Sequence, residues 1–287
     1  MTPVFGCVLL TTGRKPDDLR LAVESLLRQT GVETDVVVVG NGWRPEGLPD
    51  GARGVHLEVD EGIPAGRNAG VPHVTGEYLF FLDDDAALRD DDALARVAAL
   101  FEGDPALGLV QLEVAPRDGG VPLRDWVPRL RVGDRSRPGD ITVVWEGAVA
   151  ARRSVFEAVG GWPAPFRFVH EGIDLGWRVM DAGSRVFYAG GIVALHPVTG
   201  LPPHGYSYYF GARNRVWLAR RHLPAPLAVL YVTNFALRSL PRYRTGQALR
   251  EALRGYRDGL RQPAGPRKPL RWSTIRRMAA AGRPPIM

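Results

Sequence analysis

The chain has 287 residues, 45% of them hydrophobic and 24% charged, which is typical of one globular domain with appendages and excludes a largely disordered chain. Its single cysteine, Cys7, excludes an internal disulfide and a cysteine-rich zinc site. Residues 201–287 hold 17 basic and 2 acidic side chains, whereas residues 1–200 hold 20 basic and 29 acidic ones. A basic tail on an acidic body indicates that the tail meets an anionic partner.

Short apolar runs alternate with helical stretches along the first 115 residues. We predict strands at 4–10, 36–39, 55–59 and 78–82, helices at 17–29 and 91–101, and a loop that enters a short helix at 62–74. Near-continuous apolar strands joined by helices are typical of a parallel sheet that is covered on both faces. Ligands bind such sheets beyond the carboxyl ends of the strands, where this sequence has three polar clusters: Thr11 and Thr12, Asn41, and the aspartates 83–85.

The pattern is less regular after residue 105. Strands are predicted at 110–114, 142–150 and 185–195, and helices at 154–159, with Ser154 as its N-cap, and at 171–182. A basic, aromatic helix is predicted at 206–221. An uncharged segment with two prolines follows at 223–237, then an amphipathic, arginine-rich segment at 246–261 and about 25 loosely ordered residues. The uncharged segment 223–237 is too short to cross a bilayer, which takes about 20 residues. The chain runs directly into an apolar strand without the features of a leader peptide, so we expect a cytoplasmic protein.

Three adjacent aspartates follow the buried strand at 78–82. A hard divalent cation, Mg²⁺ or Mn²⁺, relieves the repulsion among such carboxylates and often shares its ligands with substrate phosphates. Because side chains alternate along an extended backbone, Asp83 and Asp85 point to one side and Asp84 to the other. We expect Asp85 on the metal and Asp83 near it or near a ribose hydroxyl, with helix capping in a surface loop as the alternative.

Six motifs in sequence make the chain resemble a family 2 glycosyltransferase of the GT-A fold, an α/β fold with a Rossmann-like mixed sheet flanked by helices. The motifs are VLLTTGR (8–14), VVVVGNG (36–42), GIPAGRNAG (62–70), FLDDD (81–85), GAVAARRSVFEAVGGW (147–162) and HEGIDLGWR (170–178). The resemblance implies a nucleotide-sugar-binding half (1–105), an acceptor and catalytic half of the same domain (106–200), and a basic helical C-terminal extension (201–287).

The resemblance also implies an activity, the metal-dependent inverting transfer of a hexose, rhamnose or galactofuranose from a UDP- or dTDP-sugar to an acceptor hydroxyl. The acceptor would be a glycan, a lipid-linked glycan or a small molecule. The implied donor-binding residues are Thr11, Thr12, Arg14, Asn41, Arg67, Asn68, Asp83 and Asp84, with Arg213 closing over the diphosphate. The implied ligands of Mn²⁺ or Mg²⁺ are Asp83, Asp85 and His196. The metal and Arg67 would stabilise the charge that grows on the leaving diphosphate.

Two positions depart from the family's pattern. The family commonly has an acidic residue, used in reading the base, where this chain has Gly40. Inverting transfer needs a carboxylate that takes the proton of the acceptor hydroxyl, and Gly172 stands where the family's base usually stands. Glu171 and Asp174 remain as candidates, and the spacing of Asp174 and Arg178 suits an ion pair. Glu171 is therefore our first expectation for the base, and Asp174 the second.

The two departures from the family's pattern and the basic tail leave other functions and partners open. Loss of the base at position 172 would fit a catalytically impaired sugar-nucleotide-binding protein. The tail would suit an anionic surface at the inner face of a membrane, packing on its own domain, or a homodimer. A basic nucleic-acid-binding protein is the remaining alternative, but it leaves the aspartates unexplained, and we expect no nucleic acid. No Gly-x-Gly-x-x-Gly follows the first strand, which argues against a nicotinamide enzyme.

Overall fold

A nine-stranded mixed sheet organises the residues that the computed structural model describes, 1–198 and 205–286. Its strands are β1 Val4–Thr11, β2 Glu33–Asn41, β3 Ala52–Leu57, β4 Tyr78–Asp83, β5 Ala87–Leu88, β6 Leu107–Pro116, β7 Gly139–Asp140, β8 Ala148–Arg152 and β9 Arg185–His196. The α-helices are α1 Pro16–Leu27, α2 Ile63–Gly70, α3 Ala93–Gly103, α4 Arg153–Ala158, α5 Glu171–Asp181, α6 Gly205–His222, α7 Ala225–Ser239, α8 Gly246–Arg261 and α9 Trp272–Ala280.

The sheet has a parallel half and a mixed half. β3, β2, β1 and β4 lie side by side and run in parallel. β8 pairs antiparallel with β4 and β6, and β6 runs parallel to β9. The parallel sheet predicted from the first 115 residues is confirmed for β1–β4. In the second half, β6 and β8 are joined by residues 117–147 without a crossover α-helix and pair antiparallel. The mixed sheet that the resemblance implied is confirmed.

Successive side chains of the central strands enter the two core layers in turn, which explains why these strands are apolar throughout. Val36 and Val38 belong to the core layer that includes α1 and α3, whereas Val37 and Val39 belong to the layer that includes α5. All four are essentially inaccessible to solvent. Both faces of the sheet are covered, so neither face of a strand retains the polar positions of a half-exposed sheet.

Two predictions around β8 are wrong in detail. The predicted strand at 142–150 is confined to Ala148–Arg152. The backbone N–H of Trp145 does not pair with a neighbouring strand. It donates instead to Oε1 of the Gln111 side chain at 2.7 Å. Helix α4 begins at Arg153, so Ser154 lies inside it and is not its N-cap.

The prediction of a loosely ordered end is also wrong, because residues after 261 pack on the domain. The Thr274 hydroxyl donates to Oδ1 of Asp181 at 2.8 Å, and Met278 is fully buried. Arg271 and Arg277 donate to backbone carbonyls at the C-terminal end of α5. These carbonyls have no partner within the helix and carry its negative dipole end, which attracts guanidinium groups.

The basic tail therefore finds part of its anionic partner within the same chain. Helices α6 and α8 also approach each other closely, because a Cβ atom at Gly255 would lie 2.2 Å from the carbonyl oxygen of Tyr209. No helix within 1–198 or 205–286 is both long and apolar enough to cross a membrane. The predicted boundary between residues 200 and 201 lies outside the described residues.

Candidate active site

Three candidate metal ligands converge where β4 and β9 end. Nε2 of His196 lies 3.0 Å from Oδ1 of Asp85 and 3.8 Å from Oδ2 of Asp83. One ligand atom from each of the three residues lies within 4.8 Å of the other two. Carboxylate oxygens and an imidazole nitrogen form a donor set that suits Mn²⁺. The residues that the sequence predicted as metal ligands thus fit a divalent cation.

The charge balance around these ligands also fits a cation. Burial would lower the pKa of His196, but hydrogen bonds to Asp83 and Asp85 raise it to about 10. Burial opposes ionisation of Asp85, yet His196 and Lys15 together lower its pKa. Nζ of Lys15 lies 2.5 Å from Oδ2 of Asp85. Positive groups thus already face these carboxylates, namely His196 and Lys15, with Arg67 at Asp83, and a divalent ion would supply charge of the same sign.

Asp84 is not part of the group formed by Asp83, Asp85 and His196. It lies in the turn that follows β4, which ends at Asp83. Its carboxylate accepts a hydrogen bond from the Thr11 side chain. Burial, together with the charges of Asp83 and Asp85, raises the pKa of Asp84 to about 6. Thr12 and Arg14 follow on the exposed loop after β1. Of the predicted donor-binding residues of this loop, Thr11 therefore lies beside the aspartates.

Arg67, from α2, contacts the metal cluster from the buried side. Its Nη2 donates to Oδ1 of Asp83 at 2.6 Å, and only 3% of the residue is exposed. Its Nη1 has no hydrogen-bond partner among the described residues. Its guanidinium lies over the ring of Trp162, 5.3 Å from the centroid. A buried cation with an unused N–H is suited to an anionic ligand.

Two predicted donor-binding residues, Asn41 and Asn68, are engaged with the protein. Nδ2 of Asn41 donates to Oδ1 of Asp60 at 2.8 Å, while its Oδ1 accepts from the backbone N–H of Glu61. Asn68 exchanges two hydrogen bonds with the backbone of Trp162, at 2.8 and 2.9 Å. Both side chains fix neighbouring loops in place.

Lack of space at position 40 explains why this chain has glycine where the family commonly has an acidic residue. A Cβ atom at Gly40 would lie 1.9 Å from the carbonyl oxygen of Trp43. The indole of Trp43 also covers Gly13, whose φ of +73° favours glycine. A side chain at position 40 therefore has no room, and the carboxylate beside Asn41 comes from Asp60.

Glu146 fills the place that Gly172 leaves vacant, and the sequence analysis missed it. The backbone N–H of Gly172 donates to Oε1 of Glu146 at 2.6 Å. A Cβ atom at Gly172 would lie 2.6 Å from the same oxygen. The next residue, Gly147, accepts a hydrogen bond from the Asp83 backbone N–H at 2.9 Å. A glycine at the family's base position was the signal to look for a carboxylate on another element.

Glu146 and Glu171 form a pair of carboxyl groups that favours holding a proton. Burial, followed by the charge of Glu146, raises the pKa of Glu171 to about 8. Burial also raises the pKa of Glu146, against the hydrogen bond from Gly172. Glu171 is 3% exposed, and its Oε2 has no hydrogen-bond partner among the described residues. Glu146 is half-buried and lines a cleft of about 700 Å³.

Asp174 has a different environment, although it is fully buried. It lies 2.6 Å from Nε of Arg178, 2.7 Å from Nε2 of His222 and 3.2 Å from Nη1 of Arg221. Burial raises the pKa of Asp174, but these three partners outweigh it and lower the pKa. The ion pair that the spacing predicted is present, and it commits the carboxylate to holding α5 against α6.

Arg213 and Asn214 hold the segment that leads into Glu171. Left-handed φ values of 55° to 71° occur at three non-glycine residues of this segment: Arg167, Val169 and His170. Nδ2 of Asn214 donates to the backbone carbonyls of Phe166, Phe168 and Val169. Nη2 of Arg213 donates to the carbonyls of Pro165 and Phe166. Arg213, predicted to close over the diphosphate, thus secures a strained turn at the start of α5.

Known proteins with similar sequences are glycosyltransferases. The sequence profile of glycosyl transferase family 2 matches residues 7–160. The pre-mycofactocin glycosyltransferase of Mycobacterium tuberculosis is 27% identical over 219 residues, which cover 68% of this chain and 42% of that protein. This chain therefore spans less than half the length of that relative.

Two solved structures share the fold at low identity. GalNAc-T7 with UDP, GalNAc and Mn²⁺ aligns with a TM-score of 0.63 and 15% identity, over 92% of this chain and 57% of that one. The mannosyltransferase PcManGT from Pyrobaculum calidifontis, in complex with GDP-Man and Mn²⁺, aligns with a TM-score of 0.58 and 17% identity, over 100% of this chain and 78% of that one. The profile match and the mixed sheet agree with the resemblance read from the six motifs. The chain belongs to glycosyl transferase family 2 and has the GT-A fold.

Proposed function

We propose that this protein is a divalent-metal-dependent, inverting glycosyltransferase that uses a nucleotide-diphosphate sugar. The observation that carries the proposal is the convergence of Asp83, Asp85 and His196 beside the buried guanidinium of Arg67. Bound Mn²⁺ or Mg²⁺ would neutralise negative charge on the donor diphosphate. Arg67 has an unused N–H for the charge that develops on the leaving nucleoside diphosphate. Solved relatives of the fold hold UDP or GDP-Man with Mn²⁺, and the motifs favour a UDP- or dTDP-sugar here.

In this proposal Glu146 takes the proton of the acceptor hydroxyl. The acceptor oxygen bonds to the anomeric carbon on the face opposite the diphosphate, which leaves as the carbon–oxygen bond breaks. Glu146 lines the cleft, whereas Glu171, the base expected from the sequence, is buried behind it. We therefore assign Glu171 as the buried partner that keeps its own proton near neutral pH, because burial and the charge of Glu146 raise its pKa to about 8. Burial raises the pKa of Glu146 as well, which makes its ionised carboxylate a better base. Asp174 is held by Arg178, Arg221 and His222 and is left out of this role.

Donor binding tests the first half of the proposal. Melting temperatures would be compared for UDP- and dTDP-sugars with Mn²⁺ and with a chelator. A hundredfold excess of ligand over its dissociation constant stabilises the native state by about 2.7 kcal/mol. We expect stabilisation by at least one donor, and only with the metal. Equal melting temperatures with every sugar nucleotide, or stabilisation that the chelator does not change, would contradict a metal-dependent transferase.

Turnover of the stabilising donor tests the second half. Glu146→Gln should reduce transfer or donor hydrolysis by roughly 10²–10⁴-fold, the usual contribution of a general base, and should leave donor binding in place. The matched control is Glu102→Gln, which changes an exposed glutamate on α3. Full turnover in Glu146→Gln would remove Glu146 from the mechanism. Donor binding without turnover in the parent protein would instead favour the catalytically impaired binding protein.

The surface of α8 favours attachment to an anionic membrane as a second property. This helix turns a stripe of small residues toward α6 and its leucines toward solvent, the reverse of a surface helix. The buried residues are Ala248, Ala252, Gly255 and Gly259, and the exposed leucines are Leu249, Leu253 and Leu260. The leucines share one helical face, and Arg250 and Arg257 flank it. Exposed leucines beside arginines suit the boundary between lipid headgroups and acyl chains.

Sedimentation with lipid vesicles tests this attachment. We expect the protein to sediment with vesicles that contain phosphatidylglycerol and to stay in solution with phosphatidylcholine alone. Leu253→Ser with Leu260→Ser should abolish sedimentation, whereas Leu21→Ser, at an exposed leucine of α1, should not. Sedimentation that is the same in the double variant would contradict the role of α8.

A further inference from the structure

The cleft that begins at Glu146 extends away from the metal ligands toward α6 and α7. Trp145 and Glu146, which precede β8, line the cleft on one side. Tyr208 and Arg215 of α6 and Phe235 of α7 also line it. The Trp145 ring lies 5.3 Å from the ring of His196, so the cleft adjoins the candidate metal site. A molecule in the cleft could thus place a hydroxyl at Glu146 while most of it lies beyond the donor.

Four arginines line this cleft, and none of them forms an ion pair within the described part of the chain. They are Arg124, Arg215, Arg242 and Arg283. Three of them donate only to neutral groups. Arg124 binds backbone carbonyls, including that of Val127, Arg283 binds the Pro128 carbonyl, and Arg215 binds the Tyr231 hydroxyl. Arg242 is exposed and has no hydrogen bond to any described residue. The described residues therefore leave the positive charge of this cleft without a paired anion.

Neighbouring groups respond to this unmatched charge. Burial, followed by repulsion from Arg215, lowers the pKa of Arg283 to about 10. Burial and the Arg215 guanidinium also lower the pKa of His170 well below its usual range, so this lining residue is neutral. The acidic residues that line the cleft are Asp125, which is exposed, and Glu146. An anion that entered would relieve repulsion among the guanidinium groups.

We propose that the cleft binds an acceptor that carries a phosphate or carboxylate group, held by Arg215, Arg242 and Arg283, with its hydroxyl at Glu146. Guanidinium groups match both anions in planar, bidentate geometry. The rings of Phe235 and Tyr243 offer apolar surface for the rest of the acceptor. This inference rests on the proposed function, since it names the class of acceptor for the same site.

Calorimetric titration of the full chain with small aromatic probes tests the inference. The probes are phenyl phosphate, benzoate and the neutral benzamide, each added with and without saturating UDP and Mn²⁺. We expect one of the two anions to bind at least about tenfold more tightly than benzamide, as one charged hydrogen bond allows. The anion that binds identifies the group as phosphate or carboxylate. Binding should persist with UDP and Mn²⁺ present, because the donor occupies a different part of the site.

Arginine variants locate the bound probe. Arg242→Gln and Arg283→Gln should each weaken anion binding by about tenfold, and Arg242→Gln removes no contact that the fold uses. Arg276→Gln, at an exposed arginine of α9, is the matched control and should bind as the parent does. Equal affinity for anions and benzamide, unchanged affinity in both cleft variants, or displacement of the anion by UDP and Mn²⁺ would overturn the inference. Failure of UDP and Mn²⁺ to stabilise the protein would instead contradict the proposed transferase, independently of the probe result.

Discussion

Two groups of carboxylates serve the candidate site, and they differ in the cations that face them. Asp83 and Asp85 meet His196 and Lys15, and the pKa of each aspartate is lowered despite burial. Glu146 and Glu171 meet each other instead, and the pKa of each is raised. The side chains have the same chemistry, so the neighbours decide which group stays ionised for a metal and which group can exchange a proton.

Removing a fully paired carboxylate is expected to have the largest effect. Asp174→Asn would leave Arg178, Arg221 and His222 without their shared anion in a buried site. We expect the free energy of unfolding to fall by about 3–5 kcal/mol, the range for breaking a buried ion pair from one side. Urea unfolding measures it, with the exposed Asp50→Asn as control. A loss similar to that control would show that the three partner side chains are solvated without Asp174.

The metal cluster is tested by Asp85→Asn. Loss of one carboxylate from the set with Asp83 and His196 should weaken Mn²⁺ binding in a calorimetric titration. Turnover should fall by roughly 10²–10³-fold, the range for losing one group that stabilises transition-state charge. Asp84→Asn should have a smaller effect, because Asp84 points to Thr11. Equal effects of the two substitutions would contradict the assignment of Asp85 as a ligand.

A methyl group at Gly172 tests whether Glu146 occupies the vacant position. Gly172→Ala would place Cβ 2.1 Å from the Val144 carbonyl oxygen and 2.6 Å from Oε1 of Glu146. We expect a loss of about 1–3 kcal/mol in the free energy of unfolding, as for other overpacked sites. Gly103→Ala on α3 meets no atom within 4 Å and should be neutral or stabilising. Thermal unfolding of both variants measures the difference, and equal stability would refute the contact.

The proton held by the glutamate pair makes stability depend on pH. Because the pKa of Glu171 rises from 4.5 to about 8 on folding, the folded state binds more protons between these values. The free energy of unfolding should therefore fall as the pH rises through this window, by at most about 1.4 kcal/mol per pH unit. Glu171→Gln should flatten this slope, and Glu102→Gln should keep it. An unchanged slope in Glu171→Gln would mean that Glu171 is ionised throughout.

The metal half of the site could be predicted from the sequence because its residues stand at strand ends. Asp83 is the last residue of the apolar strand β4, Asp85 follows two residues later, and His196 is the last residue of β9. Local periodicity is enough to place such residues at one edge of a sheet. The family's motifs added the chemistry.

The acceptor half could not be predicted in the same way. Glu146 lies in an irregular segment, and its contact with Gly172 depends on tertiary packing between the start of β8 and α5. Asn68 and Arg213 match the family's motifs, yet their hydrogen bonds go to the backbone of Trp162 and Phe166. No periodic signal distinguishes a polar side chain that holds a loop from one that faces a ligand.

The position of Arg283 has a consequence for synthesis of the enzyme. This residue follows α9, yet it lines the cleft and donates to the Pro128 carbonyl. The proposed metal ligands and Arg67 all lie within the first 196 residues, which leave the ribosome earlier. We expect a chain that ends between α8 and α9, by truncation or by a protease cut, to bind sugar nucleotide but to transfer its sugar more slowly, because Arg283 belongs to the proposed acceptor cleft.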